Sequence, residues 1–256
     1  MVKGGIDMFH LFFKKVFPVF CISIFFLLSV GYSLGSDEFE EDRRYMVEEI
    51  EQDVRDTSYY INKKELDPRV MSAMGRVERH KFVPKSEESW AYDNRPLPIG
   101  HGQTISQPYI VALMTDLLKI EPGDRVLEVG TGSGYQAAVL AELAAKVFTV
   151  EIIEPLGKAA AGRLAELKYD NVETKTGDGY YGWPEEAPFD AIVVTAAASH
   201  IPPPLLRQLK PGGILVIPVG SRFMVQQLVL VEKDETGEMR TRQMLPVRFV
   251  PLTGKH

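Results

Sequence analysis

The sequence predicts an α/β fold: a mostly parallel, doubly wound sheet with an antiparallel C-terminal edge. Three observations point there. Apolar runs of strand length alternate with stretches of helical periodicity between residues 108 and 219. One of these strands, 125–129, runs directly into the glycine turn Gly130-Thr131-Gly132-Ser133-Gly134 and then a helix. Two final strands, near 226–232 and 240–250, flank the turn Asp234-Glu235-Thr236-Gly237 and so read as an antiparallel pair.

A chain of 256 residues holds one domain, or one and a half. A formal net charge of −6 argues against a uniform basic surface for nucleic acid. A single cysteine, Cys21, excludes an internal disulfide framework and a cysteine-based metal site. The histidines are scattered and show no metal-ligand spacing, so no metal is expected.

The N-terminus reads as a targeting segment. Lys14 and Lys15 precede a nearly continuous apolar run over 19–30, and Ser33-Leu34-Gly35 offers a small-x-small cleavage pattern. Residues 1–35 therefore read as a signal peptide or, if retained, as a membrane anchor spanning 16–34, although Pro18 and Gly31 weaken a span. A start at Met46 is a third reading. Residues 36–45 are polar and read as a linker. The main folded domain is expected over 46–256, with a helical extension over 46–120 and a nucleotide-type core over 121–256.

Within that domain, 46–56 reads as a helix. Asp67-Pro68 starts another, with Asp67 as N-cap and Pro68 at the first helical position. The stretch 84–107 is rich in Pro, Gly and polar residues, a loop long enough to be functional. A helix follows over 108–119 with a broad apolar face. Then come strand 125–129, helix 134–144, strand 146–151 and helix 155–168. Short strands near 172–175 and 189–194, a helix near 203–209 and strand 214–219, opened by Gly212-Gly213, complete the alternation.

The chemistry concentrates at the glycine turn. Glycines let backbone approach a ligand that a Cβ would block. Glu151 ends the second strand about 20 residues after the turn, where a carboxylate can accept hydrogen bonds from both ribose hydroxyls. The pattern is E-x-G-x-G-x-G, led by Glu128. A carboxylate there would repel a pyrophosphate and suits a cation, such as the ammonium and sulfonium of S-adenosyl-L-methionine. The spacing resembles motif I of class I methyltransferases, a Rossmann-like fold. Gly130, Thr131, Gly132, Ser133, Gly134 and Glu151 are the expected cofactor contacts, with Glu128. In Gly177-Asp178-Gly179, Asp178 and Gly179 lie at the carboxyl edge of the sheet, where an acid can meet an adenine amino group or merely close a turn. Ser106, at a helix start, is either an N-cap or a hydroxyl facing the methyl donor. His101 could act as a base, and Tyr92 and Asp93 could line an acceptor pocket or brace the loop.

An ordered set of further segments resembles the protein-L-isoaspartate O-methyltransferase family. They are Pro98-Ile99-Gly100, Gln103-Thr104-Ile105-Ser106-Gln107-Pro108, Gly182-Trp183, Pro188-Phe189-Asp190, Val194-Thr195-Ala196-Ala197, Ile217-Pro218-Val219-Gly220 and Val247-Arg248-Phe249-Val250-Pro251-Leu252. The resemblance runs from about residue 46 to Gly254. It implies that Ser106 is the active-site serine, and that Thr104, Ile105, Val247 and Val250 contact the substrate. It also implies methyl transfer from S-adenosyl-L-methionine to isoaspartyl carboxylates in damaged proteins and peptides, in the cytoplasm. One catalytic unit is enough for that chemistry, so a monomer is expected. Cytoplasmic donor supply agrees, whereas residues 1–35 point to export. The competing reading is a class I methyltransferase with another carboxylate or a small-molecule acceptor.

Overall fold

The computed structural model describes residues 37–221 and 224–254. The targeting segment expected over 1–35, and Cys21 within it, lie outside the described residues. Among those described, no helix is long and apolar enough to cross a membrane.

Three helices open the described residues: α1 (Glu40–Asp56), α2 (Ser58–Ile61) and α3 (Pro68–Arg76). α1 begins six residues before the expected 46, so most of the polar stretch 36–45 is helix rather than linker. Glu40, Glu41 and Asp42 sit in its first turn, where carboxylates oppose the positive helix end. The stretch is also anchored by groups that an apolar count overlooks. Arg43 is buried, pairs with Asp37 and donates to the Tyr92 hydroxyl at 3.1 Å. Phe39 stacks on His80 with ring centres 4.3 Å apart. A chain starting at Met46 would lack both anchors. α3 forms as expected, with Asp67 accepting from the Arg69 amide at 2.8 Å.

The long loop is more structured than its composition suggests. Two short 3-10 turns, Arg79–Phe82 and Lys85–Trp90, precede a hairpin of β1 (Leu97–Gly100) and β2 (Gln103–Ile105). Each strand buries one anchor, Leu97 and Ile105, too few for a period-2 signal. Arg79 is fully buried behind this segment. It donates to the Ala91 carbonyl at 2.7 Å and lies 4.8 Å from the Tyr135 ring centre, tying the loop to the core.

The core follows: α4 (Pro108–Leu117), β3 (Arg125–Val129), α5 (Tyr135–Ala141), β4 (Lys146–Glu151), α6 (Glu154–Glu166), β5 (Val172–Thr176), β6 (Phe189–Val194), α7 (Pro203–Gln208), β7 (Leu209–Val219), β8 (Gln226–Lys233) and β9 (Met239–Val247). The seven strands lie in the order β5-β4-β3-β6-β7-β8-β9. The first five run parallel, and β8 and β9 add antiparallel to β7. β7 starts at Leu209, ahead of the expected 214, and absorbs Gly212-Gly213 in a register break against β6.

Alternation along β3 places its residues on opposite faces. Val126 joins the core formed with α1, α3, α4 and α5, whereas Leu127 and Val129 join Phe148, Ile192 and Leu205 on the other face. Glu128 falls on the Val126 face. The chain winds outward from β3 through β4 to β5, then returns to β6 on the other side. A crevice opens at that reversal, beyond the carboxyl ends of β3 and β6.

Candidate active site

The turn after β3 is pinned from both sides. The Gly130 and Thr131 amides donate to the Val150 carbonyl at 2.9 and 3.3 Å, and the Thr195 amide donates to the Val129 carbonyl at 2.9 Å. The Thr195 hydroxyl donates to the Gly130 carbonyl at 2.6 Å. Gly130 has φ +101°, and a Cβ there would lie 2.5 Å from that hydroxyl oxygen. Only glycine fits, and its bare backbone forms the floor of the crevice.

The two acids occupy different environments. Glu151 accepts from the Gly132 amide at 2.8 Å through Oε2 and from the Ile153 amide at 2.9 Å through Oε1. These bonds aim the carboxylate into the cavity and leave each oxygen a lone pair. Glu128 is fully buried. The Thr149 hydroxyl donates to its Oε2 at 2.6 Å and lies 2.6 Å from the Thr131 hydroxyl. Its Oε1 has no partner among the described residues. Burial pushes the Glu128 pKa up to about 8; the Thr149 bond works against that rise and the Glu151 charge adds to it. A buried carboxyl with a vacant oxygen fits a cationic ligand, which would supply both the missing donor and the missing charge.

The crevice is one cavity lined by Glu128, Gly130, Thr131, Gly132, Ser133 and Glu151, together with Gly179, Val250, Thr104, Ile105 and Ser106. A second cavity adjoins it, lined by Ile110, Val225 and residues 246–250, Val247 among them. Thr104, Ser106, Thr195 and Val250 line both. The structure thus brings together most of the residues singled out from the sequence.

Two cofactor candidates stand outside the lining. Gly134 has φ +89° and caps α5, but faces Leu164 and Ala160 of α6. The Asp178 carboxylate accepts from the Tyr180 amide at 3.0 Å and caps a 3-10 turn, so its neighbour Gly179 reaches the cavity instead. The N-cap of α4 is Gln107, with no side-chain cap bond, so Ser106 does not serve as the cap. His101 is exposed at the hairpin tip and lines neither cavity. Tyr92 braces: it is buried, with its hydroxyl bonded to Arg43 and His80. Asp93 accepts from Arg95 at 2.9 Å. Among the described residues no group of His, Cys, Asp or Glu side chains could hold a metal ion. Thr195, Ile152 and residues 251–253 line the donor cavity without having been expected there. The position of Thr195 at the end of the strand flanking the reversal was a usable signal for it.

The doubly wound sheet, its switch-point crevice and the acid-flanked glycine turn are those of a class I S-adenosylmethionine-dependent methyltransferase. Residues 57–256 match the family model described as protein-L-isoaspartate(D-aspartate) O-methyltransferase. The chain belongs to that family. It is 62% identical to protein-L-isoaspartate O-methyltransferase 2 of Syntrophobacter fumaroxidans over 245 residues, covering 95% of this chain and 99% of the relative. It is 68% identical to an enzyme of the same name from Polaromonas sp., covering 82% of this chain and all of the relative. Among solved structures, a protein-L-isoaspartate O-methyltransferase aligns with TM-score 0.73 at 28% identity, covering 83% of this chain and 66% of that one. A Plasmodium falciparum structure described as a protein-L-isoaspartate O-methyltransferase in complex with S-adenosyl-L-homocysteine aligns with TM-score 0.65 at 27% identity, covering 80% of this chain and 97% of that one.

Proposed function

We propose that the chain methylates the free carboxylate of L-isoaspartyl residues in damaged proteins and peptides, the step that opens their repair through a succinimide. The observation that carries this reading is the wall shared by the two cavities, where Ser106 stands between a cofactor crevice and an acceptor crevice. S-adenosyl-L-methionine, when bound, supplies an electrophilic methyl group on a sulfonium. Glu151 would accept from its ribose hydroxyls, Glu128 would meet its cationic end, and Gly179, beside Asp178, would lie at its adenine end.

An acceptor carboxylate is ionised at neutral pH and needs no general base. The position of His101 outside both cavities agrees with that. The remaining task is placement, an in-line approach of one carboxylate oxygen with water excluded. Ser106 donates one hydrogen bond to the acceptor, enough to orient it without quenching its nucleophilicity. Thr104, Ile105, Val247 and Val250 shape the rest of the wall, and residues 247–250 offer an extended edge to a peptide backbone.

Ser106→Ala is expected to lower kcat/KM for an isoaspartyl peptide by about ten- to a hundredfold, the worth of one hydrogen bond to a charged group. Its affinity for S-adenosyl-L-homocysteine, measured by calorimetry, is expected to stay unchanged. Near-wild-type methylation would remove Ser106 from the mechanism. We place the reaction in the cytoplasm, which makes the donor. Fractionation with N-terminal sequencing checks this: a mature chain starting at Ser36 outside the cytoplasm would overturn it.

A further inference from the structure

We infer that Gln226 is a positioning residue for the acceptor: its side-chain amide stands in for a strand partner and holds the wall along which the peptide lies. The inference rests on the isoaspartyl-methylation reading above. β8 and β9 pair from Lys233 and Met239 up to Gln226 and Val247, and the ladder ends there. Beyond that point the chain still lines the acceptor cavity with Arg248, Phe249 and Val250. A segment that has left its ladder needs other partners for its backbone groups.

Gln226 supplies them. Its Oε1 accepts from the Phe249 amide at 2.8 Å, and its Nε2 reaches toward the Phe249 carbonyl at 3.5 Å. The residue is 2% exposed, so water does not compete for either group. Its own backbone is confined as well. Gly220, whose amide donates to the Ala198 carbonyl at 2.9 Å, passes so close that a Cβ on it would lie 3.0 Å from Gln226 Cα.

The donor side of the same segment is fastened differently. The Ala197 amide donates to the Val250 carbonyl, and the Leu252 amide donates to the Ala197 carbonyl, both at 2.8 Å. Ala197 therefore holds the stretch that faces the donor crevice, and Gln226 holds the stretch that faces the acceptor. Loss of the Gln226 amide should be felt by the peptide and not by the cofactor. A merely structural role would loosen both.

The test is steady-state kinetics of the full chain with an isoaspartyl peptide, beside calorimetry with S-adenosyl-L-homocysteine. Gln226→Leu is expected to raise the acceptor KM about tenfold, the effect of leaving one buried amide unpaired. Cofactor affinity, and kcat at saturating peptide, should stay within about twofold on that account. Gln226→Glu keeps an oxygen for the Phe249 amide but sets an acceptor instead of a donor against the Phe249 carbonyl, and should restore only part of the acceptor KM. If Gln226→Leu fails to fold, Gln226→Asn, one methylene too short to reach Phe249, decides by the same split. An unchanged acceptor KM overturns the inference, as does a joint loss of peptide and cofactor binding. A wild-type chain that leaves the isoaspartyl peptide unmethylated is a separate result, and overturns the reading beneath it.

Discussion

Glu128→Gln is expected to weaken cofactor binding by about a hundredfold while making the empty protein more stable above neutral pH. Both effects follow from one buried carboxyl. Its pKa is about 8 in the fold, raised by burial, against 4.5 for an ordinary glutamate. Folding therefore raises its proton affinity. The group's contribution to stability is complete below pH 4.5 and is lost as pH rises through 8. An uncharged amide has no such loss, and at pH 9 its advantage is on the order of a few kcal/mol. Binding runs the other way. A cation beside Oε1 favours the charged carboxylate, so below pH 8 binding expels a proton. Cofactor affinity should rise with pH toward 8 and level off beyond it. Calorimetry in buffers of different ionisation enthalpy should register release of nearly one proton at pH 7, and none for Glu128→Gln. The hundredfold figure comes from removing one partner of a buried charge pair, which costs about 3 kcal/mol or more. Cofactor affinity independent of pH in the wild type would show that Glu128 does not meet the cation.

The parts of this site that were legible from sequence are those that are local in the chain. Glu128 and its glycines are contiguous, and Glu151 follows at a βαβ spacing, so strand alternation and turn chemistry suffice to place them. The parts that no local pattern encodes arrive from a distance. Thr195 and Val250 meet Ser106 only because the chain returns through β6 and again after β9; Val250 was reached through the family resemblance, and the one signal for Thr195, which was not expected, is its place at the end of β6. Gly134 and Asp178 show a subtler limit. Each sits at the expected turn, but packing against α6 and a local cap, rather than the motif, decide where they face. The early start of α1 eluded an apolar periodicity because Arg43, a charged residue, is one of its buried anchors. β1 and β2 were too short to show any period at all.

Gly130→Ala is expected to cut cofactor affinity by about a hundredfold, against a severalfold loss for Gly132→Ala two residues on. The contrast isolates what the floor of the crevice requires. Both glycines have positive φ, but Gly132 at +53° sits in the left-handed well that an alanine can enter at about 1–2 kcal/mol. An added Cβ there would meet Ile99 Cδ1 at 3.5 Å, an ordinary contact. Gly130 at +101° lies farther from that well, and its Cβ would fall 2.5 Å from Thr195 Oγ1. To make room, Thr195 must release the Gly130 and Val129 carbonyls that its hydroxyl now binds at 2.6 and 3.0 Å. The turn then loses its attachment to β6, and the disturbance enters both cavities, since Thr195 lines each. Stability should fall by about 2–3 kcal/mol in a urea titration. Adding Thr195→Ala to Gly130→Ala removes the clashing hydroxyl and should recover part of the affinity. If the double variant binds no better than Gly130→Ala, backbone strain rather than the close approach to Thr195 is what excludes a side chain from the floor.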